Sequence, residues 1–199
     1  MNSVFLFDVA SPNAYFVHRV IPEVEGRLGR KFDYRPVLLG GLFKLSGNQA
    51  PMIADAGVPN KLAYGLLEIE RFIARHRLTK FKMNPHFPVN TLGAMRVAVA
   101  AEAEGLAEPV IEALFHHMWE DPRNLGDPAD LARALGDAGL PAERLIALSG
   151  EDAIKQKLVA NTADAHERGA FGIPSFLVGD ALYFGKDRLR DVEEAAAAH

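Results

Sequence analysis

The spacing of apolar residues changes twice along this 199-residue chain, and the change limits the folds open to it. Residues 4–7 form a short apolar run that is typical of a buried strand, and residues 32–36 alternate apolar and charged side chains as a second strand does. Between them, Ser11 followed by Pro12 marks the start of a helix. This order favours two parallel strands joined by a helical crossover.

The middle of the chain follows a helical period. Thr91 and Asp127 each precede an apolar-periodic stretch and are expected to cap helices. Ser149 is expected to cap a long helix that ends near Gly169. One apolar stripe in this region consists of Leu62, Leu66, Ile69, Phe72 and Ile73.

The end of the chain returns to a strand pattern. Two apolar runs within residues 175–184 flank Gly179 and Asp180, which is a hairpin signal, and a last helix begins near Asp187. Without the helical middle, this is the element order of a thioredoxin fold. We therefore predict an α/β protein, a thioredoxin-like fold with a large α-helical insertion. Residues 1–37 and 166–199 would form the thioredoxin-like domain, and residues 38–165 would form the inserted helical domain.

Composition narrows the function classes. The chain has 22 basic and 26 acidic residues, a net charge of −4, which argues against a general nucleic-acid-binding protein. It has no cysteine, so disulfides, thiolate catalysis and cysteine-ligated metals are excluded, and any sulfur chemistry needs a ligand's sulfur. The start lacks the basic region of a secretory signal, and no run approaches the roughly 18 apolar residues of a membrane span. We expect a soluble cytoplasmic protein with neither membrane nor nucleic-acid partners.

Familiar enzyme motifs for dinucleotides, phosphate loops, zinc proteases and serine hydrolases are absent from the sequence. The adjacent pair His116 and His117 would project from different faces of a helix. A structural or surface role is favoured for both, and no metal site is predicted.

Two residues stand out for chemistry. Ser11 lies where a helix N-terminus offers free N–H groups and a favourable dipole for an anion, so its hydroxyl is either an ordinary cap or a hydrogen-bond partner for a ligand's thiolate. Pro174 precedes an apolar strand. By base rate its peptide bond is trans, whereas in a thioredoxin fold this proline is usually cis and the backbone before it pairs with a ligand peptide.

Other polar residues keep two interpretations each. Three polar residues lie in or beside the segment after the second strand and are either solvated or hold a ligand carboxylate: Lys44, Asn48 and Lys61. Lys61 opens a helix, where the helix dipole disfavours a positive charge, and a bound carboxylate would relieve that cost. Asp187 is either a cap or a partner for an ammonium group. Residues 84–88 form either a connector or a pocket wall.

The order and spacing of several short segments give a more specific indication. They are residues 5–8 and 11–15 (FLFD, SPNAY), 46–49 (SGNQ), 84–90 (NPHFPVN), 169–174 (GAFGIP) and 184–189 (FGKDRL). Together they resemble the 2-hydroxychromene-2-carboxylate isomerases, relatives of kappa-class glutathione transferases and of the disulfide-oxidoreductase DsbA family. The resemblance spans nearly the whole chain.

This resemblance implies glutathione as a cofactor. Ser11 would hold and activate the glutathione sulfur, and Ile173, before a cis Pro174, would pair its backbone with the cysteinyl unit. The γ-glutamyl end would meet Gly185, Lys186 and Asp187. Carboxylates of glutathione or substrate would be held by Lys44, Asn48 and Lys61, and the other candidate substrate-binding residues are Asn13, Asn84 and His86.

The resemblance also implies a reaction on a small-molecule substrate, isomerisation by reversible thiolate addition in aromatic-compound degradation, and a homodimer. Some relatives carry an aromatic residue where this chain has Asn13. A polar group beside the sulfur changes which electrophiles the site accepts, so the resemblance leaves the identity of the substrate open. The alternatives are a kappa-class-like glutathione transferase, which consumes the thiol, and a non-catalytic glutathione-binding protein. A thiol–disulfide oxidoreductase of the usual form is excluded because there is no cysteine.

Overall fold

A computed structural model describes residues 3–198 and shows one four-stranded sheet with the strand order β2-β1-β3-β4. Strand β1 pairs in parallel with β2 and antiparallel with β3, and β3 and β4 form an antiparallel hairpin. The strands are β1 Ser3–Phe7, β2 Asp33–Pro36, β3 Ser175–Val178 and β4 Ala181–Phe184. The parallel pair, the hairpin and the thioredoxin-like fold predicted from the sequence are confirmed.

Ten α-helices lie within residues 3–198. They are α1 Pro12–Leu28, α2 Leu39–Ser46, α3 Pro51–Ala54, α4 Pro59–His76, α5 Leu92–Ala103, α6 Ala107–Trp119, α7 Pro128–Asp137, α8 Ala142–Ser149, α9 Asp152–Glu167 and α10 Leu189–Ala197, with a 3₁₀ turn at Lys186–Arg188 before α10. Eight of them, α2 to α9, occupy the chain between β2 and β3. None of the helices in the described part of the chain is long and apolar enough to cross a membrane.

The core lies on both faces of β1 and β3, whose residues are all buried. Aromatic rings fill one layer of it: Phe5 stacks with Phe176 at a centroid distance of 5.4 Å, and Phe7 lies 5.8 Å from Phe115 of α6. The buried indole of Trp119 donates from Nε1 to the backbone oxygen of Val9, 2.9 Å away. These contacts fix the helical segment against the carboxyl end of β1.

Two helix starts differ from the sequence prediction. Thr91 precedes α5 but does not cap it, because its hydroxyl donates to the buried Asp8 Oδ1 at 2.8 Å. Ser149 ends α8 and donates to the carbonyl of Ile146, so it does not cap α9. The short helices α2, α3 and α8 were not anticipated, whereas Asp127 caps α7 as predicted through bonds to the N–H groups of the first turn.

The predicted stripe on α4 is only partly buried. Phe72 is buried, and Ile69 and Ile73 pack against the core, but Leu66 is 59% exposed. The apolar stripe therefore continues beyond the part of α4 that packs against the core. The amino-terminal half of α4 extends beyond the neighbouring elements and also exposes Tyr64 and Leu67.

Candidate active site

Ser11 is located between the end of β1 and the first turn of α1. It is 5% exposed, and its Oγ accepts a hydrogen bond from the N–H of Ala14 at 3.2 Å, which confirms the predicted N-cap. The same Oγ donates to the carbonyl oxygen of Ile173 at 3.1 Å, across 162 residues of sequence. With no acidic residue in its first turn, α1 presents the positive end of its dipole beside this hydroxyl.

The segment facing Ser11 is the loop before β3. The Ile173–Pro174 peptide bond is cis, as predicted, and Phe87–Pro88 is a second cis bond that was not predicted. The Pro174 carbonyl accepts from the N–H of Gly185 at 2.9 Å, so the loop is tied to the end of β4. Ser11, Ile173, Pro174 and Gly185 are thereby brought together.

A pair of exposed aromatic rings borders this loop. Phe171 and Phe184 are 39% and 43% exposed, and their ring centroids are 4.5 Å apart. A Cβ atom placed on Gly172 would lie 2.8 Å from Cε2 of Phe184. The glycine therefore permits the close approach of Phe184 to the loop backbone.

The segment after β4 places Lys186 inside and Asp187 outside. Gly185 has φ 96° and ψ 155°, a conformation open essentially to glycine. Lys186 is 7% exposed; its Nζ lies 3.1 Å from Asp187 Oδ1 and 5.5 Å from the centroid of the Phe72 ring of α4. Lys186 thus links α4 to the segment that follows β4, and the ammonium that contacts Asp187 is the chain's own.

Asn48 reaches the same loop from the opposite side. It follows the end of α2, and its Nδ2 donates to the carbonyl of Phe171 at 2.9 Å. Lys44 lies in the last turn of α2 and is exposed. It forms no ion pair with any other residue among residues 3–198. Lys61, in the first turn of α4, lies 2.5 Å from Asp55 Oδ1, so the carboxylate that offsets the helix dipole there is supplied by the protein.

Asn84 and His86 lie in the loop before α5. Asn84 is 2% exposed; its Nδ2 donates to the carbonyls of Met118 and Arg123, and its Oδ1 accepts from the N–H of His86 at 2.9 Å. All the polar groups of that side chain are therefore used to hold the loop. His86 itself is exposed, and neither residue hydrogen-bonds to Ser11 or to the loop before β3 in the part of the chain that is described.

Asn13 is the second residue of α1. Its Oδ1 is buried and has no hydrogen-bond partner among residues 3–198. An unsatisfied buried amide oxygen costs free energy, so a donor supplied by a ligand would stabilise this position.

Asp8 is a further residue of the site that sequence reasoning did not single out. Its carboxylate is fully buried and accepts from the N–H of Ala10 at 2.9 Å, the N–H of Leu39 at 2.8 Å and the hydroxyl of Thr91. Its own carbonyl accepts from the N–H of Ser11. Burial raises the pKa of Asp8, while the three hydrogen bonds act in the opposite direction. The signal in the sequence is a single acidic residue that interrupts an apolar start.

Tyr15 has no free hydroxyl for catalysis. Its OH donates to Glu120 Oε1 at 3.0 Å, and Arg19 Nη2 lies 2.7 Å from the same oxygen. Burial, followed by the charge of Glu120, raises the pKa of Tyr15 to about 12. Tyr15 therefore anchors α1 to the end of α6.

The sequence-family model of the DsbA-like thioredoxin domain matches residues 4–197, which is nearly the whole chain. The chain belongs to the DsbA-like thioredoxin domain family. The resemblance that the sequence motifs indicated is confirmed.

Relatives within this family carry two kinds of name. The chain is 28% identical over 194 residues to the 2-hydroxychromene-2-carboxylate isomerase of Sphingobium xenophagum, covering 95% of this chain and 94% of that protein. It is 31% identical over 196 residues to glutathione S-transferase kappa 1 of Rattus norvegicus, covering 92% and 85%. A solved structure of a 2-hydroxychromene-2-carboxylate isomerase superposes with a TM-score of 0.82 at 22% identity, covering 100% of this chain and 95% of that one. These relatives are enzymes named for isomerisation and for glutathione transfer.

Proposed function

We propose that the protein is a glutathione-dependent isomerase acting on 2-hydroxychromene-2-carboxylate-type substrates. The observation that carries the proposal is the position of Ser11 Oγ at the N-terminus of α1, 3.1 Å from the carbonyl of Ile173 before the cis Pro174. A hydroxyl there is free to exchange one protein contact for a hydrogen bond to a thiolate, and the helix dipole favours the same negative charge. The relatives named as isomerases support the choice of reaction.

The residues around Ser11 would hold glutathione with the sulfur of its middle residue at the Ser11 hydroxyl. The backbone of Ile173 would pair with the cysteinyl unit of glutathione, and Gly185 and Asp187 would meet its γ-glutamyl end. Asp187 is well placed for an ammonium group because its side chain is 62% exposed while Lys186 contacts it from the buried side. Asn48 would approach from the α2 side, where it already holds the Phe171 carbonyl.

The two lysines differ in what they have to offer a carboxylate. Lys44 is exposed and needs to break no contact within the described residues, whereas Lys61 has to leave Asp55. We assign the first contact with a ligand or substrate carboxylate to Lys44, with Lys61 sharing its charge with Asp55. His86 would contact substrate from the rim, and Asn84 would act by holding the loop that carries His86.

When bound, glutathione would supply a thiolate nucleophile for reversible addition to the substrate, in which the carbon–sulfur bond that forms is also the one that breaks. Ser11 and the start of α1 stabilise the thiolate before addition and after release. Asn13, next to this position, would contact the electrophile. In such a reaction glutathione would not be consumed.

Glutathione transfer is the second candidate, and the 31% identity to a kappa-class transferase favours it. A transferase would leave a stable conjugate of glutathione with its substrate, whereas an isomerase would return free glutathione. A protein that binds glutathione without turnover is the third possibility. Mass spectrometry of the reaction mixture separates the first two, and calorimetric binding without turnover identifies the third.

The test is a spectrophotometric assay of 2-hydroxychromene-2-carboxylate with and without glutathione, on the wild type, Ser11→Ala and Ser149→Ala. Ser149 is the matched control because its hydroxyl also donates to a backbone carbonyl, at 2.7 Å, but on α8. A hydrogen bond to a charged group is worth about 1.5–3 kcal/mol. Since about 1.4 kcal/mol is tenfold in rate, Ser11→Ala should lower turnover about ten- to a hundredfold, with a smaller loss of glutathione affinity.

Turnover that does not depend on glutathione would overturn the proposal. Equal activities of Ser11→Ala and Ser149→Ala would remove Ser11 from catalysis and return it to the role of a helix cap. Loss of glutathione binding with normal turnover at saturating glutathione would make Ser11 only an anchor for the ligand.

A further inference from the structure

The carboxyl end of α6 brings two histidines and an aspartate together. The rings of His116 and His117 are 4.7 Å apart at their centroids, in an edge-to-face arrangement. One ligand atom from each of His116, His117 and Asp121 lies within 4.8 Å of the others. His116 is half-buried and His117 is buried, as different helix faces predict, yet each offers a ligand atom to this group. The chain leaves the helix after Trp119, and the N–H of Asp121 bonds back to the carbonyl of His116 at 3.0 Å.

His117 is the buried member of this group. It is 5% exposed, and its Nδ1 has no hydrogen-bond partner within residues 3–198, although Asp121 Oδ2 lies 3.3 Å away. Burial lowers the pKa of His117, with Arg123 and His116 acting in the same direction and Asp121 against it. The geometry therefore leaves a buried ring nitrogen without a hydrogen bond, which is a position that a metal ion can occupy.

His116 is oriented by a carboxylate behind it. Its Nδ1 lies 3.1 Å from Glu120 Oε2, and the other oxygen of Glu120 is held by Tyr15 and Arg19. This contact holds the ring and leaves Nε2 for a ligand. Histidines that bind metals usually donate their other ring nitrogen to a carboxylate in this way.

The surroundings carry a negative excess. Both histidines line a cavity of about 550 Å³ that is also lined by Glu112 and Asp137. Arg123 forms ion pairs with Asp121 and Asp137 at 3.0 and 2.8 Å, so a bound cation has to compete with this guanidinium group for the Asp121 carboxylate. The charged side chains at or next to the cavity are the four carboxylates of Glu112, Glu120, Asp121 and Asp137 and the two guanidinium groups of Arg19 and Arg123.

We propose that His116, His117 and Asp121 bind a divalent transition-metal ion of the zinc type. Two imidazoles and a carboxylate are ligands that this class of ion accepts, with water in a fourth position. Neighbouring ligand atoms in a tetrahedral site with bonds of about 2.1 Å are about 3.4 Å apart, so movement of the exposed Asp121 side chain has to close the site. The ion would join the end of α6 to the loop that leads to α7, away from Ser11.

The test uses the full chain, freed of metal with a chelator and titrated near neutral pH with Zn²⁺ by calorimetry and with Co²⁺ by visible absorption. We expect one ion per chain, with a cobalt spectrum of tetrahedral type. His116→Gln should weaken Zn²⁺ binding by at least ten- to a hundredfold, and Glu120→Gln should weaken it less. His86→Gln, which removes an exposed histidine elsewhere, should bind like the wild type.

Absence of stoichiometric Zn²⁺ binding by the wild type would overturn the proposal, as would equal binding by His116→Gln and His86→Gln. A second measurement is the rise in Tm on adding Zn²⁺, and it leaves the buried His117 in place. That rise should occur in the wild type and in Ser11→Ala and be absent from His116→Gln; an equal rise in all three would contradict the site.

Discussion

Removal of the Asp8 carboxylate should disturb the site without touching any residue that would contact a ligand. Asp8 accepts from the N–H of Ala10, the N–H of Leu39 and the hydroxyl of Thr91, and so joins the end of β1 to the starts of α2 and α5. Its carbonyl also accepts from the N–H of Ser11. Loss of the carboxylate should therefore lower both the free energy of unfolding and the order of the segment that carries Ser11.

The magnitude follows from the three bonds. Asp8→Ala leaves the N–H groups of Ala10 and Leu39 and the hydroxyl of Thr91 without this acceptor, and a buried donor that loses its partner costs about 1–3 kcal/mol. Part of this loss is offset because the buried carboxyl is removed as well, so we expect a net loss of about 2–4 kcal/mol for Asp8→Ala. Asp8→Asn keeps an oxygen for Ala10 and Thr91 but sets an amide N–H against that of Leu39, which costs about 1–3 kcal/mol.

The assay is urea denaturation followed by near-ultraviolet circular dichroism, with exposed Asp180→Asn as a control of equal charge change. Burial raises the pKa of folded Asp8 above its ordinary value of 3.8. Proton binding therefore favours the folded state, and this contribution is full below 3.8 and is lost as pH rises through the folded pKa. The wild type should gain stability relative to Asp8→Asn as pH falls from neutral through this range.

Two results would refute this reasoning. The first is a free energy of unfolding for Asp8→Ala within about 0.5 kcal/mol of the wild type, which is the size of an ordinary surface substitution. The second is a gap between the wild type and Asp8→Asn that narrows on acidification, which would show that the hydrogen bonds outweigh burial.

Two further predictions concern other contacts. Gly172→Ala should displace Phe184, whose ring edge would lie 2.8 Å from the new Cβ, and should thereby weaken glutathione binding. In a Phe184→Ala background the same substitution should have no further effect on binding. An equal loss of binding in both backgrounds would place its cause elsewhere. Glu112, whose pKa is lowered to about 2 mainly by the hydrogen bond from His18, contributes stability that is full above 4.5 and is lost as pH falls toward 2. Glu112→Gln should therefore flatten the loss of unfolding free energy over that acid range, and an unchanged slope in denaturant titrations would contradict the assigned contact.

Local signals in the sequence predicted the parts of the fold that depend on neighbouring residues. Ser11 followed by Pro12 gave the start of α1, Asp127 gave the cap of α7, and Gly179 with Asp180 gave the hairpin turn. The cis bond before Pro174 came from the family resemblance and was confirmed. In each case the determining contacts lie within a few residues, or the fold family constrains them.

Side-chain contacts, whether between nearby or distant residues, were not predictable in this way. Lys61 was assigned to a ligand carboxylate, but Asp55 on the preceding turn lies 2.5 Å from it. Thr91 had a capping position, yet its hydroxyl bonds to Asp8, 83 residues earlier. Helix geometry considered His116 and His117 alone, whereas the chain turns back after Trp119 and brings Asp121 beside them. A helical or capping pattern predicts local geometry but not which side chain arrives from elsewhere.

The central claim is that Ser11 and the amino terminus of α1 stabilise the thiolate of bound glutathione. The most direct measurement is the pKa of that thiol in the complex, followed by the ultraviolet absorbance of the thiolate during a pH titration of wild type and Ser11→Ala. The account predicts a pKa below the ordinary thiol value of about 8.5 in the wild type and a rise toward that value in Ser11→Ala. A bound thiol that titrates at or above about 8.5 in the wild type, or equally in both proteins, would contradict it.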